Sequence, residues 1–451
     1  MSGMPLFHAL LLLVSVIIIV VAARPGRLHP FLAILVVATA FGLAAGFSSS
    51  LVAKTFGNGF ARAIYSPGLV IVGAGFVAGL AQSTTVVEWL SQIGRRRWFG
   101  LTRTTALLGF IGGIAASPSS AFALLSPLLR AMGSSAGPKR EAAMIAPALA
   151  LSAGHGLVVL SPVPIAAASI LGAPLSRVAL FGLPLALLLA AGSSAWARWL
   201  SPTAFVVAGP IDEPPAILEK SGRWSAIILL AATAVPLLML LMQSLGDIPS
   251  EPLGGGPRRE MVLALGRPLV LFLVAVGIMV IGLWRASNKL LSDAAWTTRV
   301  IGNVASLLLI VGAAGGLQSV CQETGMAELI GERLLTSQVA AFAGVLLPFL
   351  LAAVMKTLQG SSLVAAIAAA GMVQPFLAPP GLAGANETAL AALAVGAGAM
   401  TMSHVNDEYF WLVGASARLA PARALALITG GTLLQGLVAA VVLVALAALF
   451  V

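Results

Sequence analysis

Apolar residues run along this chain in blocks separated by short polar turns. The blocks fall at 6–23, 30–47, 66–90, 140–170, 174–200, 223–243, 266–284, 303–321, 386–417 and 422–450. An α-helix needs about 20 apolar residues to cross a bilayer core of about 30 Å, so each block reads as one crossing. Two further stretches, 101–133 and 338–377, are apolar but interrupted. The first breaks at "ASPSSA" (Ala116 to Ala121) and the second at "LQGSSL" (Leu358 to Leu363). The arms run to roughly 13–20 residues and the shorter ones cannot cross, so both stretches read as re-entrant hairpins whose polar tips need protein or water around them. The predicted fold is an all-α polytopic membrane protein of about ten spanning helices and two re-entrant hairpins.

Composition sharpens this. The chain is 59% hydrophobic and 9% charged, with a mean hydropathy of +1.03, whereas soluble domains carry about 25% charged residues. The net charge of +10 does not point to nucleic acid, because the basic residues are scattered between apolar blocks, where they orient helices. With Met1 placed outside, seventeen Lys and Arg fall on the inner side and seven on the outer, and Lys356 lies within the second hairpin, which accounts for all 25. This bias predicts both termini on the outer side. The first block has no Lys or Arg before it and reads as a retained spanning helix. A single cysteine, Cys321, excludes an intrachain disulfide and a cysteine-based metal site. No metal or cofactor is predicted.

The chain also repeats itself. "GLAQSTTVVEWL" (Gly79 to Leu90) is echoed by "GLQSVCQETGMAELI" (Gly316 to Ile330). "SPSSAFALLSPLL" (Ser117 to Leu129) is echoed by "QGSSLVAAIAAAGM" (Gln359 to Met372), and "LSAGHG" (Leu151 to Gly156) by "TMSHVN" (Thr401 to Asn406). Each half then holds five crossings and one hairpin, and an odd number of crossings inverts one half relative to the other. Inverted repeats with broken elements meeting at mid-membrane are a mark of secondary transporters. The predicted division is a repeat over 1–200, a Pro-rich, charged linker on the inner side over 201–222, and a second repeat over 223–451.

Polar chemistry concentrates at the breaks. "TMSHVNDEYFWLVG" (Thr401 to Gly414) brings His404, Asn406, Asp407 and Glu408 into an apolar block too long for one simple crossing. An acid near mid-membrane costs about 2.5–3.5 kcal/mol on insertion scales and persists where it faces a polar site. These four residues, with Ser403, are therefore expected to line a substrate site, and Asp407→Asn to abolish uptake while leaving folding intact. The matching break in the first half offers Ser152, Gly154, His155 and Ser161, with Pro162 and Pro164 freeing backbone groups. The hairpin tips add Ser119, Ser120, Ser361 and Ser362, and Gly360 permits close backbone approach. Lys356 would pair with Asp407 or meet an anionic substrate. Blander roles compete: serine pairs also serve helix packing, and Glu88, Glu141, Glu328 and Glu332 sit near block ends as helix-end charges. His8 and His29 read as interfacial.

"SHVNDEYFW" (Ser403 to Trp411) resembles the signature of the gluconate:proton symporter (gluconate permease) family. "KTLQGSSLVAAIAAAGM" (Lys356 to Met372), "LLLIVGAAGGLQSV" (Leu307 to Val320) and "SAGHGLVVLSPVPIAAASILGA" (Ser152 to Ala173) are similar to that family in order and spacing. The resemblance implies a bacterial inner-membrane permease importing a sugar acid or hydroxy-acid with protons, on a fold in which one domain moves elevator-like against a scaffold. The chain departs from the family's habits at Pro118-Ser119, at Ser161 to Pro164 and at Lys356, where an Arg is usual.

The resulting expectation is a proton-coupled importer of a small organic anion, embedded in the lipid bilayer, with a homodimer left open. Ser119, Ser120, Ser361, Ser362 and the backbone at Gly154 and Gly360 would bind carboxylate and hydroxyls. Asp407, with His404 or His155, would carry the proton, a histidine being suited by its ordinary pKa near 6.5. Sodium coupling, or cation:proton antiport on the same fold, stays open because carbonyls at the breaks suit Na⁺. An intramembrane hydrolase using a buried serine with His155 or His404 is the remote alternative, and the chain has no Gly-x-Ser-x-Gly elbow.

Overall fold

The computed structural model describes residues 4–23, 27–82, 100–115, 117–133, 140–159, 161–200, 222–246, 251–282, 294–326, 329, 345–374 and 384–449. The linker up to residue 221, the second half of the first repeated motif, and Glu88, Glu328 and Glu332 lie outside the described residues. All regular structure among the described residues is helical.

The first half contains α1 (Met4–Ala22), α2 (Pro30–Ala44), α3 (Ser49–Ala63), α4 (Leu69–Gln82), α5 (Leu101–Ala115), α6 (Pro118–Gly133), α7 (Arg140–Leu157), α8 (Pro162–Leu171) and α9 (Leu175–Leu200). The second contains α10 (Gly222–Gly246), α11 (Pro257–Leu265), α12 (Pro268–Gly282), α13 (Ala294–Glu323), α14 (Leu346–Gln359), α15 (Ser362–Val373), α16 (Ala385–Ala399), α17 (Glu408–Ser416), α18 (Pro421–Ala424) and α19 (Gly430–Ala447). Local chemistry sets many of the boundaries. Ser48 caps α3 by accepting from Leu51 N at 3.2 Å, and Pro30, Pro162, Pro257 and Pro421 occupy first-turn positions where no N–H is missed. Pro67 has no N–H to donate, and around it the α3–α4 helix widens into a π-turn over Ile64–Gly68.

The order of elements in the first half returns in the second, with α11 as an extra helix. The packing is reciprocal too: α2 packs on α13 and α4 on α12, α6 on α17 and α8 on α15, and α7 on α19 and α9 on α16. Such exchange of partners is what two-fold-related halves produce. The hairpin arms α5 and α6 pack together, as do α14 and α15.

Among the described residues four helices are long and apolar enough to span alone: Glu141–Leu171 taken across its break, Leu175–Leu200, Val304–Glu323 and Pro421–Ala447. The pair α11–α12, bent by 59°, makes a fifth candidate. Shorter apolar helices such as Leu6–Ala22 and Pro30–Ala44 occupy other expected crossings. Two elements depart from the sequence reading. The block expected at 66–90 begins at Ser49, because "SSLVAKTFGNGFARA" is helical with polar residues on one side, and α11 is an amphipathic insertion.

Large apolar side chains such as Leu10, Leu13 and Ile17 of α1, Leu187 of α9 and Val441 of α19 are exposed. Surfaces of this kind suit lipid and not water. The span Glu141–Leu171 is the enclosed one, 94% buried against 44% for Leu175–Leu200, which puts the first-half break at the centre of the molecule. The centre is held by close backbone contact: a Cβ on Gly396 of α16 would lie 2.0 Å from Gly156 O of α7. Gly396→Ala is therefore expected to cost about 1–3 kcal/mol, as overpacking does. The detergent-solubilised protein should melt several degrees lower, and an unchanged midpoint would mean that α7 and α16 separate freely.

Candidate functional site

Four helices begin at the breaks. Helix α6 starts at Pro118, where Ser117 Oγ accepts from Ser120 N at 3.4 Å, and α8 starts at Pro162. Helix α15 starts at Ser362 after Gly360, whose φ of 82° turns the chain, and Ser361 Oγ caps it by accepting from Val364 N at 3.4 Å. Helix α17 starts at Glu408, with Asp407 Oδ1 accepting from Tyr409 N at 2.9 Å. First-turn N–H groups lack partners within their own helix and carry partial positive charge.

All four starts contribute to the lining of one cavity of about 350 Å³. Ser117, Pro118 and Ser119 come from the first hairpin, Ser152, His155 and Pro162 from the α7–α8 break, and Gly360 to Val364 with Lys356 from the second hairpin. Met400, Ser403, Asp407, Glu408 and Tyr409 come from the α16–α17 break. The opposite wall is Gly59, Arg62 and Ala63 of α3 with Gly315, Gln318, Ser319 and Gln322 of α13. Those two helices touch backbone to backbone, since a Cβ on Gly59 would lie 2.3 Å from Gly315 O.

Charge in the cavity is arranged asymmetrically. Lys356 and Asp407 are both buried, and Lys356 Nζ donates to Asp407 Oδ2 at 2.6 Å and to Gly360 O at 2.5 Å. Ser403 Oγ also donates to Asp407 Oδ2, at 2.6 Å. Asp407 is thus a helix cap inside an ion pair, joining the second hairpin to the α16–α17 break. Glu408 has a different setting: its Oε1 accepts from Ser119 Oγ of the first hairpin at 3.0 Å.

Several expected site residues point elsewhere. His404 Nε2 meets Thr357 O at 2.8 Å, and Asn406 Nδ2 donates to Thr357 O at 3.0 Å and Leu358 O at 3.3 Å. Both satisfy carbonyls left open at the C-terminus of α14 and lie outside the cavity lining. Ser120 is buried beside the cavity but does not line it. Gly154 serves packing, because a Cβ there would lie 2.8 Å from Phe110 O of α5. His155 lines the cavity and its Nδ1 lies 2.8 Å from Ser161 Oγ, a contact that fixes the α7–α8 break. Glu141, expected as a helix-end charge, pairs with Arg423 at 2.9 Å and so ties α7 to α18. The backbone of the α16–α17 break is also satisfied: Ser403 N donates to Thr432 Oγ1 at 3.2 Å, Thr429 Oγ1 to Ser403 O at 2.5 Å, and Trp411 Nε1 to Val405 O at 2.8 Å. A buried break needs such partners.

The sequence reading assigned no site role to Arg62, Gln318, Ser319 and Gln322. Gln318 and Gln322 are one helical turn apart and share a face of α13, a signal that was present in "GLQSVCQE" but lay in an unbroken helix. Among the described residues no group of three His, Cys, Asp or Glu side chains is placed to hold a metal. The arrangement suits an anion with hydroxyls: positive helix starts and serine donors on one side, and Arg62 with the glutamine groups of α13 opposite.

The sequence profile described as GntP family permease matches residues 7–450. The chain belongs to this family. It is 30% identical over 417 residues to a gluconate permease of Pseudomonas aeruginosa, covering 89% of each chain. It is 27% identical over 430 residues to a gluconate permease of Zymomonas mobilis, again with 89% of each covered. A D-serine transporter of Escherichia coli K12 is 26% identical over 419 residues, also with 89% of each covered. As a divergent GntP family permease the protein is a multi-pass membrane transporter and not an enzyme, and the motif at 403–411 marked the family correctly.

Proposed function

We propose that the protein imports a small carboxylate bearing a hydroxyl or amino group beside the carboxyl carbon, with protons, across the bacterial inner membrane. The observation that carries this is the meeting of four helix starts and the hydroxyls of Ser119, Ser361 and Ser362 at one cavity. A carboxylate would take the free N–H groups at the start of α15 and α6. Hydroxyl or amino groups would face Gln318, Ser319 and Gln322. The relatives' names fit this chemistry, since gluconate and D-serine share a carboxylate next to a carbon carrying a polar substituent. Lys356 and Asp407 hold the second hairpin against the break instead of meeting the substrate first.

In this reading the two hairpins and two broken helices form the moving body, and α3 with α13 forms the wall past which it slides. Both termini would lie on the periplasmic side.

A thermal-shift screen of the purified chain tests the substrate class. At 100 times its Kd a true substrate stabilises the folded state by about 2.7 kcal/mol, so D-gluconate, D-serine and related hydroxy-acids should raise the melting temperature and neutral sugars should not. Stabilisation by none of the carboxylates would overturn the reading. Uptake into liposomes with a proton gradient and no Na⁺ then separates proton from sodium coupling.

A further inference from the structure

We propose that Glu408 carries the coupled proton and that one proton accompanies each substrate monoanion. This rests on the carboxylate-importer reading above. Two carboxylates line the cavity, and their settings differ. Asp407 is engaged by the Lys356 ammonium, the Ser403 hydroxyl and Tyr409 N, so a proton there would compete with an existing ion pair. Glu408 is held by Ser119, and among the described residues no cation is in ion-pair contact with it.

The other groups around Glu408 can be named. Arg62 of α3, His155 of α7 and Lys356 of α14 line the same cavity, with Asp407 and Tyr409 on either side in the chain. Helix α13, which packs on α17, presents the uncharged Gln318 and Gln322 there. Arg130 of α6 bonds Ser416 at the other end of α17, and Arg423 of α18 is paired with Glu141.

The charge balance follows. Counting the Lys, Arg and carboxylate groups of the lining, Arg62 and Lys356 give two positive charges and Asp407 one negative charge. With Glu408 ionised the empty cavity is formally neutral. With Glu408 protonated it is positive by one, and a monoanion returns it to neutral. The empty ionised form and the form loaded with both anion and proton therefore carry the same net charge. The two half-loaded forms do not, and moving an uncompensated charge through a low-dielectric region is disfavoured. The carrier can cross in the first two states and is held back in the others, which is coupling. In the step itself a proton from the outer side binds the Glu408 carboxylate, crosses as the neutral acid with the anion, and leaves to the inner side as the carboxylate re-forms.

The test uses the full chain in liposomes with radiolabelled D-gluconate. With one linked proton, wild-type Kd should rise about tenfold per pH unit on the alkaline side, and uptake should be electroneutral, unaffected by a potassium-diffusion potential. In Glu408→Gln the neutral, anion-loaded form still crosses, so exchange of gluconate should continue at a rate that no longer varies with pH. Its empty form keeps one positive charge, so net accumulation should be lost. Glu408→Asp should restore the pH dependence. Accumulation by Glu408→Gln, or loss of exchange together with accumulation, would overturn the proposal. If Glu408→Gln does not fold, the proton-to-gluconate ratio of the wild-type chain decides: any ratio other than one, or uptake driven by potential, overturns it. Absence of gluconate exchange in the wild-type chain would instead overturn the substrate reading on which the proposal stands.

Discussion

Replacing Lys356 with Met should destabilise the protein by about 3–5 kcal/mol, the cost of leaving one partner of a buried ion pair without the other. Methionine keeps the length of the stem and removes the ammonium. Asp407 would then retain Ser403 and Tyr409 N but lose the cation at 2.6 Å, and Gly360 O would lose its donor. Asp407→Asn alone should also destabilise, because it leaves the ammonium buried against Gly360 O. This differs from what the sequence suggested, where Asp407 looked purely functional. The double variant Lys356→Met with Asp407→Asn should recover most of the loss, since no uncompensated charge remains and Asn caps a helix as well as Asp. Unfolding midpoints of the four proteins in one detergent provide the double-mutant cycle. A Lys356→Met protein as stable as the wild type would free Lys356 for a direct role in binding substrate.

The breaks were legible because polar residues are conspicuous in a chain so apolar. Ser119, Ser361, Ser362, Ser403 and Asp407 all reach the cavity, and the hairpins at Ser117–Pro118 and Gly360–Ser361 fall where the interruptions predicted them. Direction was not legible. His404 and Asn406 sit in the same break as Asp407, but their partners are the carbonyls of Thr357 and Leu358, and nothing in composition tells which way a side chain turns once a helix has stopped. Gly154 fails for a similar reason: a glycine permits close approach, and here the approaching group is another helix. The far wall was hidden because α3 lies between the expected blocks at 30–47 and 66–90, and because α13 is unbroken. Arg62 looked like an orienting charge, and Gln318 and Gln322 looked like part of a repeated motif. The packing of α13 on α14 and α17 brings that face to the cavity, and the contact of Gly59 with Gly315 joins α3 to it.

The serine tips of the two hairpins should behave as one binding site. Ser119 and Ser362 line the same cavity from opposite halves of the chain, so a bound carboxylate within reach of both hydroxyls is shared between them. A hydrogen bond contributes about 0.5–1.5 kcal/mol, and up to about 3 when one partner is charged. Ser119→Ala and Ser362→Ala should therefore each weaken binding by roughly two- to a hundredfold, at 1.4 kcal/mol per tenfold. Residues that contact one ligand couple, so the double variant should deviate from the sum of the single ones by at least about 0.5 kcal/mol. Ser120→Ala is the control: Ser120 follows Ser119 directly, is buried, and stays off the cavity wall, so it should leave affinity within about twofold, the scale of ±0.5 kcal/mol expected away from a site. Calorimetry with D-gluconate, or with whichever carboxylate gives the largest thermal shift, supplies the four affinities. Additive, small effects at Ser119 and Ser362 would reduce the hairpin tips to packing elements. An effect at Ser120 as large as at Ser119 would mean that the α6 start as a whole, and not one hydroxyl, holds the anion.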